Sequence, residues 1–278
     1  MENLKTFKSF INEAASIEKS QDGMYHPKDK EELESILNKL IKERGNEGDF
    51  NDIDTSAVTD MSELFWHKTL FNGDISKWNT SNVTNMANMF EMARSFNQPI
   101  GNWDVSSVTD MHEMFLQAQK FNQDISKWDV SFVRNMDGLF CLAESFNQPI
   151  GNWNTSKVTN MERMFNGAIS FNQSIGNWNT SNVTNMASMF HNAKAFNQPI
   201  EGWDVSNVTK MNDMFSGTDS FNQNISKWDT SKVVSMVGMF LRAKAFNQDI
   251  SNWNVKEVKD SEDIFYNCPI KEEFKPRF

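Results

Sequence analysis

Two cysteines in 278 residues leave no disulfide framework to read. Cys141 and Cys268 stand far apart in the register described below and are expected to be reduced, structurally incidental thiols. Cations are in deficit, with 27 Lys and Arg against 37 Asp and Glu and a formal net charge of −10. That balance argues against wrapping a nucleic-acid backbone, where clustered Lys and Arg must release counterions. No apolar run approaches the ~20 residues that span a bilayer, and the first residues lack the apolar core of a secretory signal, so neither a membrane role nor export is expected. The four histidines, His26, His67, His112 and His191, are scattered, and no His, Cys or acidic residues recur at a metal spacing. No nucleophile sits with a base, and no glycine loop could cradle a phosphate. The expectation is a non-enzymatic protein with no cofactor and no metal.

What is abundant is unusual. Leucine is scarce, whereas the chain holds 23 Phe, 17 Met and 9 Trp. Trp78, Trp103, Trp128, Trp153, Trp178, Trp203, Trp228 and Trp253 follow one another at 25-residue intervals without slippage. A unit this short cannot bury its own apolar face, so its stability must come from stacking on its neighbours. The template runs Trp, Asp or Asn, Val or Thr, Ser, then Val-Thr, Met, Met-Phe, Ala, Phe-Asn-Gln and Ile. Met86, Met89, Phe90 and Ala93 lie at i, i+3, i+4 and i+7, which predicts a short helix in every coil. Short parallel strands are expected in the rest, with one ladder near the Val-Thr pair. The reading is therefore an α/β solenoid of about nine 25-residue coils.

The polar columns have structural readings. Asn72, Asn97, Asn122, Asn147, Asn172, Asn197, Asn222 and Asn247 form an unbroken column, expected to point inward and to satisfy backbone groups at each bend. Asp104, Asp129, Asp204 and Asp229 share their column with Asn79, Asn154, Asn179 and Asn254, which speaks for turn hydrogen bonding over a calcium ladder that needs its charge. A threonine column, including Thr84, Thr109 and Thr159, is broken by Arg134, Val234 and Lys259, against a regular ice-binding face.

The ends depart from the template. Asp29 with Glu32 forms a capping box before the stripe Leu33, Ile36, Leu37, Leu40 and Ile41, which stops at Gly45, so residues 29–49 are expected to be an N-terminal capping helix. The solenoid spans 50–265, with Phe50 in the Ile column and Ile53 in the Trp column, and 266–278 form a closing tail. FNQPI at Phe96, Phe146 and Phe196 alternates with other versions, which suggests expansion by a 50-residue pair.

The string Phe121-Asn122-Gln123-Asp124-Ile125-Ser126-Lys127-Trp128-Asp129-Val130-Ser131 strongly resembles the BspA-like leucine-rich-repeat family of bacterial surface proteins. The resemblance covers about Asp29 to Phe265. It implies a right-handed, leucine-rich-repeat-like solenoid and, in surface-exposed relatives, adhesion or protein binding. Met1 to Ala15 resembles something else, the capsid-targeting peptides of T-even phage internal head proteins. Leu4, Phe7, Phe10, Ile11 and Ala14 form one apolar helical face opposite Lys5 and Lys8, and Ile11-Asn12-Glu13-Ala14 fits the prohead protease pattern. That resemblance implies cleavage after Glu13, with 1–13 removed and 14–28 left as a flexible spacer.

Function is then expected where the template varies. The position after the Met-Phe pair reads Trp66, Glu91, Leu116, Cys141, Asn166, His191, Ser216, Leu241 and Tyr266. Trp66, Leu116, Leu241 and Tyr266 are the candidate partner-binding residues, since exposed large residues beside polar ones are what a protein-binding surface offers, with aromatic anchors carrying most of the energy. The first expectation is a monomeric internal head protein that occupies the capsid interior, then the host cytoplasm, and blocks a host protein. The alternative is an adhesin on a cell or virion surface.

Overall fold

The computed structural model describes residues 18–278, a solenoid in which each 25-residue turn of chain lies on the one before. Coil 1 is counted from Ile53, coil 2 from Trp78, and so on to coil 9 from Trp253. Single-residue parallel bridges join Asp60, Asn85, Asp110, Asn135, Asn160, Asn185, Lys210, Ser235 and Asp260, next to the Val-Thr pair as the sequence suggests. Two further parallel bridges, Tyr25 with Ile53 and Asp49 with Asp74, lie near the N-terminal end, and beyond such single bridges the expected strands do not form among the described residues.

The short helix expected in each coil is absent too. Among the described residues the helices are α1 (Lys30–Arg44) and one 3-10 turn (Glu272–Phe274). The reason lies in where the amides go. The N–H groups of Met86, Asn88, Phe90 and Met92 donate to the carbonyls of Asp110, His112, Met114 and Leu116 in the next coil, so none can close an i−4 bond. The intervening amides close overlapping turns, Met89 to Met86, Glu91 to Asn88 and Ala93 to Phe90. Asn88 and Met92 are left-handed, at φ 57° and 58°, and the same two positions are left-handed in every coil. A non-glycine residue there costs roughly 1–2 kcal/mol, offset in each coil by the bonds it places on its neighbour. The apolar spacing that mimics a helix face is thus satisfied by a chain of turns, and a helix of two turns would be below its nucleation length in any case.

The core is a set of ladders. Phe65, Phe90, Phe115, Phe140, Phe165, Phe190, Phe215, Phe240 and Phe265 stack with ring centroids 5.2–5.8 Å apart. A second series from Phe71 to Phe246 stacks at 6.0–6.1 Å. The two Phe of one coil meet at 3.8–4.1 Å, as with Phe140 and Phe146 or Phe240 and Phe246. Each repeat tryptophan is buried and donates its indole N–H to a carbonyl in the Ile column, as Trp103 does to Ile75 at 3.2 Å. That bond removes the one polar liability of a buried indole.

At the N-terminus, Asp29 caps α1 by accepting from the Glu32 amide at 2.9 Å, while Glu32 accepts from the Lys28 amide at 3.0 Å, one residue earlier than a standard capping box. Leu33, Ile36, Leu37 and Leu40 bury against coil 1. The helix ends at Gly45, five residues short of the stack's first Phe, and 46–49 already behave as solenoid: Asn72 and Asp74 donate to the carbonyls of Asn46 and Gly48. Phe50 is compensated by Gly73, where a Cβ would lie 2.3 Å from the Phe50 ring. The described part of the expected spacer is not free chain either. Tyr25 is buried and bridges Ile53 in parallel. At the other end the tail folds back onto coil 8, with the Ile250 amide donating to the Phe274 carbonyl and the Lys271 amide to the Asn247 side chain.

Candidate binding surface

The polar columns are structural. Each Asn of the Phe-Asn-Gln triplet accepts, through its side-chain oxygen, the amide of its counterpart one coil on, from Asn97 onto Asn72 to Asn247 onto Asn222, at 2.9–3.0 Å. These side chains are half-buried or exposed, so the column lies at the rim and does not point inward as the sequence suggests. The residue after Trp closes an Asx turn whether it is Asp or Asn: Asp104 accepts from the Ser106 amide at 3.0 Å and Asn79 from the Ser81 amide at 3.1 Å. The Ser106 hydroxyl and amide hold the Asp104 carboxyl below the usual range. The threonine column donates its hydroxyls down the stack, Thr109 to the Thr84 carbonyl at 3.2 Å. Among the described residues no group of His, Cys, Asp and Glu could hold a metal ion.

Variation concentrates on the loop that joins the two Phe columns. Trp66 is 49 % exposed and Tyr266 56 %, whereas Leu116 and Leu241 are half-buried. These four do not form one patch: Trp66 and Tyr266 lie eight coils apart, about 40 Å at the spacing of paired chains. Sequence reasoning missed Leu70, Leu142 and Ile169, at 65 %, 37 % and 42 % exposure, which come from the same loop in coils 1, 4 and 5. The available signal was, through coils 1 to 8, the break of Leu70 from a column that otherwise holds Ser, Lys or Ala, and of Ile169 from one that otherwise holds Thr, Arg, Gln, Glu, Lys or Asp, whereas the column of Leu142 is mixed and already includes Met92. Leu142 lies over Gly167, where a Cβ would meet its Cδ2 at 2.4 Å. Further along, the loop is ionic, with Asp219 reaching Lys194 at 3.7 Å and Lys244 at 3.0 Å.

Carboxylates border the apolar part. Arg163 reaches Glu113 at 2.9 Å and Asp137 at 3.1 Å, tying coils 3, 4 and 5 together. Burial pushes the Asp137 carboxyl up despite that partner. Asn88 donates to both Glu91 and Glu113. Cys141, beside this network, is buried and its thiol is pushed up to about 11, so it stays a protonated, inert thiol at neutral pH. Burial lowers the His191 pKa, and its Nδ1 finds no partner among the described residues. On another face Phe132 is 51 % exposed, with Lys157 stacked 3.5 Å above its ring.

The model of one family, described as mycoplasma proteins of unknown function, DUF285, matches residues 33–140, 123–217 and 198–271. The chain belongs to the DUF285 family. The three overlapping matches together cover nearly the whole stack of coils, each spanning several of them. No curated protein and no solved structure matches the chain. The residues Ile11, Glu13 and Ala14, and the targeting segment 1–13 as a whole, lie outside the described residues.

Proposed function

We propose that this member of the DUF285 family is a non-enzymatic protein-binding solenoid, right-handed as the leucine-rich-repeat resemblance implies. The observation that supports it most is the division of labour along each coil. Buried ladders and rim hydrogen bonds use the residues that repeat, and the loop between the Phe columns is free to vary. On that loop Trp66 and Leu70 expose apolar surface in coil 1, and Leu142 and Ile169 in coils 4 and 5, with the carboxylates of Glu91 and Glu113 on the coils between. Scattered surface apolar residues are ordinary, but two such pairs on one loop of stacked coils, with half-buried Met92 and Leu116 between them, lie on one face that a protein partner can cover. The test is a double variant, Leu142→Asp with Ile169→Asp, compared with the wild-type chain for capture of a defined partner. Loss of capture of at least ~10-fold with an unchanged thermal transition is expected, and equal capture, or turnover of any substrate, refutes the reading.

The narrower reading is an internal head protein, packaged with a phage genome and delivered to block a host protein. It rests on the sequence of Met1 to Ala15 alone. Mass spectrometry of purified virions should then find a species beginning at Ala14. The alternative, an adhesin, predicts that antibody reaches the coils on intact cells or particles.

A further inference from the structure

The coil-to-coil bonds are directional, and this makes the two ends of the stack chemically different. In coil 8 the amides of Met236, Gly238, Phe240 and Arg242 donate onward to Asp260, Glu262, Ile264 and Tyr266 in coil 9. The corresponding donors of coil 9 belong to Ser261, Asp263, Phe265 and Asn267, and none has an acceptor among the described residues. Coil 9 still holds the geometry that aims them, since Asp263 and Asn267 are left-handed at φ 53° and 55°, and Tyr266 and Cys268 close the usual turns. The Lys259 carbonyl completes the row as the acceptor that each earlier coil offers to its successor, as Val234 does to the Lys259 amide. The tail bonds back to coil 8, at Asn247 and Ile250, and leaves this row of coil 9 open. Phe265 is only half-buried, stacked on Phe240 alone among the described rings, with the Lys275 ammonium 5.6 Å from its centroid.

We propose that this row is a second docking site, independent of the apolar loop, for a segment of another polypeptide that presents main-chain carbonyls at every second residue and an aromatic ring over Phe265. The interior interfaces define the occupant, because the site continues them: four donors, one acceptor and a ring stacked at 5.2–5.8 Å. This is chain addition to an open edge, in which main-chain bonds give affinity and one side-chain pocket gives selectivity. A second copy of this chain fits poorly. Its N-terminal end is covered by α1, and two C-terminal ends would set donors against donors.

The probe is a synthetic peptide with the sequence of residues 183–196, which carries the Thr184 amide and the Asn185, Ala187, Met189 and His191 carbonyls that face coil 5 in the stack, titrated into the isotope-labelled full chain. Shift changes and slowed exchange at the amides of Ser261, Asp263, Phe265 and Asn267 are expected. A peptide carrying Phe190→Ala should bind about 2–10-fold more weakly, the worth of one ring stack. The Leu142→Asp, Ile169→Asp variant should bind the peptide as the wild type does, which keeps this site separate from the loop. Absence of any change at these amides with low-millimolar peptide, changes centred elsewhere, or self-association that protects the same amides would each overturn the proposal.

Discussion

The two ends of the stack solve one problem differently. At the N-terminal end α1 lays four buried aliphatic residues on coil 1, Arg44 clasps Asp52 with two bonds of 2.7 and 2.8 Å, and Tyr25 adds a bridge to Ile53. At the C-terminal end Ser261 and Ile264 replace the two Met columns, Val258 and Phe265 are half-buried, and the tail covers only part of the coil. A coil is held by the neighbour that covers it, so identical residues should have position-dependent worth.

The largest effect tests that directly. Phe165 is fully buried and stacks on Phe140, Phe171 and Phe190 at 5.7, 3.9 and 5.6 Å. Phe165→Ala should cost about 3–5 kcal/mol in chemical denaturation, whereas Phe265→Ala, with one stacked neighbour and partial exposure, should cost about 1–2 kcal/mol. Equal losses would mean that the end coil is covered as well as the middle. The N-terminal end has its own packing test at Gly73. Gly73→Gln restores the residue found elsewhere in its column, yet should cost about 1–3 kcal/mol by overpacking Phe50. Adding Phe50→Ile should recover most of that loss, and a double-mutant cycle reads the coupling.

Much of this fold is legible in the sequence, and the part that is not has a physical cause. The 25-residue period, the buried Trp, Met and Phe columns and the capping stripe all follow from residue spacing. The local conformation does not, because Met86, Met89, Phe90 and Ala93 suit a helix face and a chain of turns equally well. Only the destination of the Asn88 and Met92 amides, in another coil, separates the two. The corner beyond the Asn column shows the reverse case. The alternation of FNQPI with other versions reads as duplication, and in the structure the FNQPI and FNQDI copies of coils 2 and 3 have different corner chemistries. Asp124 accepts the Ser126 amide in an Asx turn, whereas Pro99 is followed by Gly101, whose missing Cβ admits the Asp124 carbonyl. On the variable loop a single column points to Leu116, which is half-buried, and away from Leu142 and Ile169, which are more exposed.

Acid should separate the ends as well. Arg44, with Lys19 beside it, holds the Asp52 carboxyl down from 3.8 to about 2. A depressed acid stabilises the folded state above its unfolded pKa, and that contribution is lost as pH falls from about 4 to about 2. Amide exchange at Tyr25 and Asp54 should therefore accelerate across that window before exchange at Phe165 does. In an Asp52→Asn variant, exchange at Tyr25 and Asp54 should be fast already at neutral pH and change little through the window.

The smallest effect addresses what the repeated carboxylates are for. Asp104, Asp124, Asp204, Asp229 and Asp249 each accept a serine amide two residues on, and that pairing holds each below its ordinary pKa. Asn79 and Asn179 make the same bond without charge, so geometry and not charge is what the corner requires. Asp104→Asn should change stability by less than ~0.5 kcal/mol, while Asp104→Ala, which leaves the Ser106 amide without its side-chain acceptor, should cost about 0.5–1.5 kcal/mol. A calcium-dependent rise in the wild-type melting temperature that Asp104→Asn abolishes would reverse this account. It would turn the acidic corners into a ligand site, with the two ends of the stack its least occupied positions.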